Sequence, residues 1–214
     1  MNKTVWFIRH AQSTGNAGEI THSPSGIPLT DLGKRQAQLL SEGFDVQPDL
    51  IVTSRYIRTK ETAQDFMSRF SKVSHEEWPL HEFTYLSPDR YKGTTMGERK
   101  PMAEKYWKDN DPELVEGPGA ESFTEFVARI EECFSKIDAA PQNNIVIFTH
   151  GLVIRLILLL QLTKQYRDCF SLMQKYQDMR KFPVANACIL KITWDTKEMS
   201  CLDVSHMPQD LITF

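Results

Sequence analysis

Three short runs of uninterrupted apolar residues punctuate the chain: Val5-Trp6-Phe7-Ile8, Leu50-Ile51-Val52 and Ile145-Val146-Ile147-Phe148. A continuous run of this length, rather than an alternating one, marks a strand covered on both faces. Between the runs the spacing becomes helical. Residues 31–40 follow Thr30 as N-cap, set Leu32, Gln36, Leu39 and Leu40 near one face, and have Gly43 beyond their end. Residues 56–70 carry Ile57, Ala63, Phe66, Met67 and Phe70 as apolar points, with Arg58, Lys60, Glu61 and Asp65 on the exposed face. Ser122-Phe123-Thr124-Glu125 is a capping box, and Phe126, Val127, Ile130, Phe134 and Ile137 form the stripe of the helix behind it. Residues 151–162 are apolar throughout except for Arg155 and Gln161, too short to span a bilayer and suited to a buried helix.

The remaining segments complete the pattern. Residues 73–78 read as a further strand and 165–181 as a further helix. Residues 187–194 and 199–204 read as two strands joined by Asp195-Thr196-Lys197-Glu198, a hairpin. Residues 79–119 are rich in Pro, Gly, Asp, Arg and Lys, and read as an irregular excursion with one helix near 100–108. Strands alternating with helices predict an α/β fold, with a mainly parallel sheet, helices on both faces and the final hairpin at one edge. A length of 214 residues suits one domain carrying that insertion.

Composition narrows the functional classes. The net charge is −3, with no basic stripe and no block of like charge, so neither nucleic acid nor a membrane surface is expected as a partner. The first residues lack the pattern of a signal peptide. Cys133, Cys169, Cys188 and Cys201 are widely spaced with no CxxC pair, so reduced thiols and a cytoplasmic location are expected. His10, His22, His75, His81, His150 and His206 show no HxH or HxxxH spacing, which gives a metal site little support. Neither GxxxxGK[ST] nor GxSxG occurs. Composition leaves the oligomeric state open.

Each of the three apolar runs ends in reactive polar residues. The first ends in Arg9-His10, the second in Thr53-Ser54-Arg55 with Arg58 one turn on, and the third in Thr149-His150-Gly151. Open α/β sheets bind ligands beyond the carboxyl ends of their strands, so His10, Arg58 and His150 are expected to share one pocket. Guanidinium forks match a phosphate or a carboxylate. A neutral histidine is a competent nucleophile near pH 7 and can carry a phosphoryl group. Asn16 and the amides around Gly15 could add neutral donors, and a nearby carboxylic acid could protonate a leaving alkoxide. Taken singly, each residue has a plainer reading: a histidine after a strand is more often structural, and a lone Arg9 or Arg58 more often a surface ion pair. Their convergence is what favours chemistry.

The same residues carry a family pattern. Arg9-His10-Ala11-Gln12-Ser13-Thr14-Gly15-Asn16 resembles the RHGxSxxN signature of the histidine phosphatase superfamily, whose fold is that of phosphoglycerate mutase. Residues 28–37 resemble its PLTxxGxxQA segment and residues 54–63 its SxxxRxxxTA segment. Glu121-Ser122, Thr149-His150-Gly151 and residues 183–189 resemble its later motifs, in order. The resemblance implies that His10 is the nucleophile and becomes phosphohistidine. It implies that Arg9, Arg58 and His150 grip the phosphoryl group, with Asn16 as a further donor. It also implies a glutamate general acid between the second strand and the capped helix. Of Glu76, Glu77, Glu82 and Glu98, Glu82 is chosen because it follows a strand and begins the irregular segment. Gly151 after His150 disfavours the branch that places an aspartate there.

Two departures stand out. Ala11 replaces the usual glycine, which matters only if that backbone requires a positive φ or a very close approach. The segment after Glu82 lacks the common Gly-x-x-Glu-Gly and instead brings Arg90, Lys92, Arg99 and Lys100 near the presumed mouth. These cations could recognise a second anionic group, or form a solvated basic loop. The expected activity is hydrolysis of a phosphate monoester through a covalent phosphohistidine, on a small phosphorylated substrate rather than a phosphoprotein, with no cofactor and no metal. A phosphoglycerate-type mutase and a phospho-ligand binding module without turnover are the rival expectations.

Overall fold

The computed structural model describes residues 3–163 and 166–214. Its three central strands are β1 (Thr4–Arg9), β2 (Leu50–Thr53) and β4 (Asn144–Thr149), and β3 (Ser74–Glu77) lies beside β2. With β5 (Ile189–Thr193) and β6 (Glu198–Met199) they form one sheet of six strands in the order β3-β2-β4-β1-β5-β6. The β3-β2, β2-β4 and β4-β1 pairings are parallel. The hairpin β5-β6 joins β1 in the antiparallel sense, as expected.

The apolar runs are continuous because both faces of the sheet are covered. Val5, Phe7, Val52, Ile145 and Ile147 point into the larger core, under α4 (Phe123–Ala139), α5 (Gly151–Thr163) and α6 (Cys169–Met179). Trp6, Ile8, Ile51, Val146 and Phe148 point the other way, against Leu40 of α1 (Asp31–Gly43), Phe44 just after it, and Ala63 and Phe66 from α2 (Ile57–Arg69). Each such side chain contributes roughly 1.5–3 kcal/mol by leaving water, so the two cores hold the strand ends rigidly. The Thr30 cap on α1 and the Ser122–Glu125 capping box on α4 are both formed. Among the described residues no helix is long and apolar enough to cross a membrane.

Several expectations need correction. On α1 the buried face is built from Gly33, Gln36, Ala37, Leu40 and Ser41, and Leu32 and Leu39 are only half-buried. On α2, Arg58 is 6% exposed and Ile57 39% exposed, the reverse of the hydropathy pattern, because the first turn of α2 faces the strand ends rather than solvent. Strand β3 is exposed at every position, as its polar sequence suits an edge. The excursion of residues 79–119 holds a 3-10 turn at Pro88–Tyr91 and a longer helix than expected, α3 (Met96–Asp109). That helix starts on a second capping box, Thr95 with Glu98. Helix α6 begins at Cys169, and residue 165 of the expected helix lies outside the described residues. The second hairpin strand is only two residues long, with Asp203 making an isolated bridge to Ile189. Cys133 and Cys188 are buried, and all four cysteines are free thiols.

One glycine fixes how α1 meets the loop after β1. A Cβ on Gly33 would lie 2.0 Å from the carbonyl oxygen of Gln12, a backbone atom that cannot swing aside. Thr30 N–H donates to that same oxygen at 3.0 Å. Gly33→Ala should therefore destabilise the protein by about 2 kcal/mol, lowering the thermal midpoint by about 4–8 °C. An unchanged midpoint would show that the loop has room to move.

Candidate active site

The carboxyl ends of β1, β4 and β2 lie together. Arg9 pairs with Thr149 in the sheet register, and His10 N–H donates to Thr149 O at 2.9 Å. Ser54 N–H donates to Phe148 O at 3.3 Å. A cavity of about 470 Å³ opens at this edge, lined by Arg9, His10, Ser13, Asn16, Arg58 and Glu82, with apolar residues beyond them. A larger hollow of about 790 Å³ lies elsewhere, beside Trp194 and Tyr166, and no histidine or arginine lines it.

His10 is buried, and its Nδ1 lies 2.7 Å from the carbonyl oxygen of Ala11. A carbonyl only accepts, so Nδ1 carries the proton and Nε2 keeps the lone pair. Burial, followed by the charges of Arg58 and Arg9, holds the pKa of His10 well below the ordinary histidine value. The ring is thus neutral near pH 7, in the form that can attack phosphorus. Ala11 does not have a left-handed φ. Its methyl is buried among Leu29, Ala37, Ala187 and Met207, and its N–H donates to Thr62 Oγ1 at 3.0 Å. The glycine of the family pattern is therefore dispensable at this position.

Arg9 and Arg58 are both buried. Arg9 donates from Nη1 to Val184 O, while its Nε has no partner. Burial foremost pulls its pKa down to about 10, with the nearby charges of Arg155 and Arg58 acting in the same direction. Arg58 donates from Nη1 to Pro24 O at 2.7 Å and lies over the Tyr56 ring at 4.8 Å. Burial lowers its pKa as well. Neither forms an ion pair with a carboxylate among the described residues. Arg129, by contrast, clasps Glu121 through bonds of 2.6 and 2.9 Å. Two buried cations that no carboxylate touches, with Glu82 acting on them only across the cavity, make a site that favours an anion.

The orientation of Asn16 follows from its partners. Its Oδ1 faces Ser13 N (3.2 Å), Ser13 Oγ (2.9 Å) and Asn186 Nδ2 (3.2 Å), all donors. That fixes the oxygen and leaves the Nδ2 amide as the donor available to the cavity. Asn186 also donates to His10 O at 3.3 Å. Sequence reasoning missed Asn186: it lies far along the chain and is delivered by the turn into β5, where Ala187 adopts φ 56°. Gln36, buried on α1, was named only for its face. It accepts from Gln12 N at 2.8 Å and donates to Leu211 O at 2.7 Å, tying the loop after β1 to the C-terminal segment.

Glu82 accepts from Phe83 N at 3.1 Å and from Leu152 N, in the first turn of α5, at 3.2 Å. Of the four glutamates considered, it alone lines the cavity. Glu76 accepts from Trp78 Nε1, Glu77 pairs with Lys60, and Glu98 caps α3. His150 abuts His10 at 5.2 Å between ring centroids but stands behind the cavity wall rather than on it. Its Nε2 lies 2.8 Å from Ser54 Oγ, and its Nδ1 is buried without a partner. The Ser54 hydroxyl can serve as donor or acceptor, so either tautomer of His150 is accommodated. Arg99 and Lys100 line the cavity. Arg90 and Lys92 do not: Arg90 pairs with Glu116 at 2.9 Å and Lys92 with Asp89 at 2.7 Å, on the exposed surface.

Burial lowers the pKa of His10, His150, His206 and His81, the last to about 3. His81 Nε2 accepts from Arg55 Nη2 at 3.2 Å, which only a neutral ring can do. The unfolded chain takes up these protons below about pH 6.5 while the native state does not, so stability is complete above that pH and is lost as pH falls. The urea midpoint should drop steadily from pH 7.5 to pH 5. Each such group adds at most about 1.4 kcal/mol per pH unit to the slope, and His81→Gln should make it shallower. A midpoint that stays level over this range would contradict neutral burial.

A relative from Hydrogenobacter thermophilus, provisionally named phosphoserine phosphatase 2, is 27% identical over 150 residues, which are 70% of this chain and 73% of its own. Among solved structures, a provisionally assigned alpha-ribazole-5'-P phosphatase from Escherichia coli superposes with a TM-score of 0.72. It is 23% identical and covers 95% of this chain and 96% of its own. A phosphoserine phosphatase from Entamoeba histolytica, solved with 3-phosphoglyceric acid, gives a TM-score of 0.71 at 18% identity over 96% of this chain and 100% of its own. These structures share the fold. The model of the histidine phosphatase superfamily (branch 1) matches residues 5–206, and the chain belongs to that superfamily.

Proposed function

We propose that this protein is a phosphatase that hydrolyses a phosphate monoester through a phosphohistidine formed on His10. The observation that carries the reading is the pair of buried guanidiniums, Arg9 and Arg58, neither in contact with a carboxylate, beside a neutral imidazole whose Nδ1 is pinned to a carbonyl. A phosphate dianion would supply an anion in direct contact with both. It would also bring phosphorus within reach of the one free nitrogen lone pair on the wall.

In this reading the Nε2 lone pair of His10 attacks phosphorus and the bond to the leaving oxygen breaks. Glu82, as the carboxylic acid, gives its proton to that oxygen. The Nδ1–H bond to Ala11 O stabilises the positive charge that develops on the ring. Water then attacks phosphorus, Glu82 takes a proton from it, and the N–P bond breaks to restore neutral His10. Arg9, Arg58 and the Asn16 amide hold the equatorial oxygens, where charge spreads in the transition state. His150 stays behind this wall, where its ring abuts that of His10 and its Nε2 meets the Ser54 hydroxyl, so it backs the nucleophile rather than touching the phosphoryl oxygens.

Rapid denaturing quench with labelled 4-nitrophenyl phosphate should trap label on nitrogen of His10. His10→Ala should abolish both label and turnover, by at least about 1000-fold. Glu82→Gln should slow alkyl phosphates by about 10²–10⁴-fold. With 4-nitrophenyl phosphate, whose leaving group needs no proton, the same variant should accumulate the phosphoenzyme. Turnover surviving in His10→Ala, or label found on oxygen, would overturn the reading.

A further inference from the structure

We infer that the substrate of this site carries a flat apolar body and a second anionic group beside its phosphoryl group, the second anion being received by Arg99. The inference rests on the phosphatase reading above. Beyond Arg9, His10, Asn16, Arg58 and Glu82, the cavity wall is apolar and aromatic, with Ile27, Phe83, Tyr85, Leu86, Tyr91 and Met96 as its main surfaces. A volume of about 470 Å³ is that of a pocket for a ring-sized ligand, well beyond what a bare phosphorylated hydroxy acid fills. Glu82 is the only carboxylate on this wall, and the proton transfers use it. No second carboxylate there could pair with an ammonium group, so a zwitterionic substrate such as phosphoserine would bring its cation close to Arg99 and Lys100 with only neutral groups to receive it.

Arg99 repeats, at the far side of the cavity, the condition of the phosphate-binding arginines. It is 6% exposed, its guanidinium lies 4.1 Å from the centre of the Tyr91 ring, and it forms no ion pair among the described residues. Its Nη1 alone is committed, to Thr21 Oγ1 at 2.9 Å and to Thr94 O and Oγ1 at 2.8 Å. Those bonds hold the fork still. Among the described residues Nε and Nη2 have no hydrogen-bond partner, and Arg99 is itself part of the cavity wall. The segments it grips are already joined, since Thr21 N–H donates to Thr94 O and Gly93 N–H to Thr21 O, each at 2.9 Å. The roof is therefore closed by backbone bonds, and a guanidinium is not needed to close it. Lys100, on the same wall, is exposed and only loosely paired with Glu104 at 3.8 Å, so it adds field rather than geometry.

The test compares three alkyl phosphate esters, so that leaving-group chemistry is held nearly constant: 2-naphthylmethyl phosphate, its 6-carboxy derivative, and phosphoserine. The carboxylated naphthyl ester should exceed the plain one in kcat/KM by about 10-fold or more, as expected for a charge-assisted pair. Both should exceed phosphoserine. Arg99→Gln should bring the ratio of the two naphthyl esters to about 1. If both naphthyl esters fall together in that variant and their ratio persists, Arg99 only supports the roof and the inference is wrong. Phosphoserine equal to or better than the naphthyl esters would also overturn it. Calorimetric binding of the corresponding phosphonates gives the same comparison without turnover. Failure of every ester to turn over, with the phosphonates still ranked as expected, would count against the phosphatase reading alone.

Discussion

Arg9 and Arg58 are buried charges that no carboxylate touches among the described residues, with only the field of Glu82 to offset them. Each keeps one bond to a backbone carbonyl, from Val184 and from Pro24, and neither has a carboxylate in hydrogen-bonding contact. Removing a guanidinium from water without a partner is among the larger penalties a protein can carry. The surrounding structure has to over-determine their positions for the arrangement to persist. The two cores do this by fixing the ends of β1, β2 and β4, and Gly33 does it by letting α1 press against the loop after His10. The N-terminus of α5 points its first N–H groups toward the same region, where Leu152 N holds Glu82. The neutral state of His10 follows from the same constraint, because both guanidiniums and burial act against a third positive charge.

Much of this was legible in the sequence because the signals are local. A run of four apolar residues followed by Arg-His names a strand and its end, and Thr30 and Ser122 name helix starts through a single side-chain bond each. The meeting of His10 and Arg58 on one cavity wall followed from the rule that ligands bind at strand carboxyl ends. What was not legible is set by contacts between distant segments. The burial of Arg58 defied the hydropathy of its helix because the cavity at the strand ends, rather than open solvent, lies at the start of α2. Asn186 reaches His10 and Asn16 only because β5 pairs antiparallel with β1, and nothing near Asn186 in the chain announces it. His150 lies behind the wall, a matter of side-chain depth that spacing cannot report. Thr95 and Glu98 carried a readable capping signal that places the start of α3 four residues before the expected helix.

The excursion between β3 and α4 has a clear physical division of labour. Tyr106 and Trp107 of α3 anchor it in the larger core against Phe83, while Tyr91, Met96 and Arg99 form the outer cavity wall. Arg90 and Lys92, equally basic in the sequence, are satisfied by Glu116 and Asp89 at the surface. Sequence gives all four cations in this segment the same look. Pairing and burial separate the one held rigidly in the cavity wall from those that merely solvate a loop.

The central claim is that His10 waits as a neutral imidazole with its proton on Nδ1 and its lone pair on Nε2. Nitrogen-15 NMR of histidine-labelled protein, with His10 assigned through a His10→Gln variant, tests this most directly. The account predicts one protonated and one bare ring nitrogen for His10, unchanged from pH 8 down to pH 5.5, with the proton on Nδ1. A ring that titrates near the ordinary histidine value, or that carries its proton on Nε2 in the free protein, would contradict it.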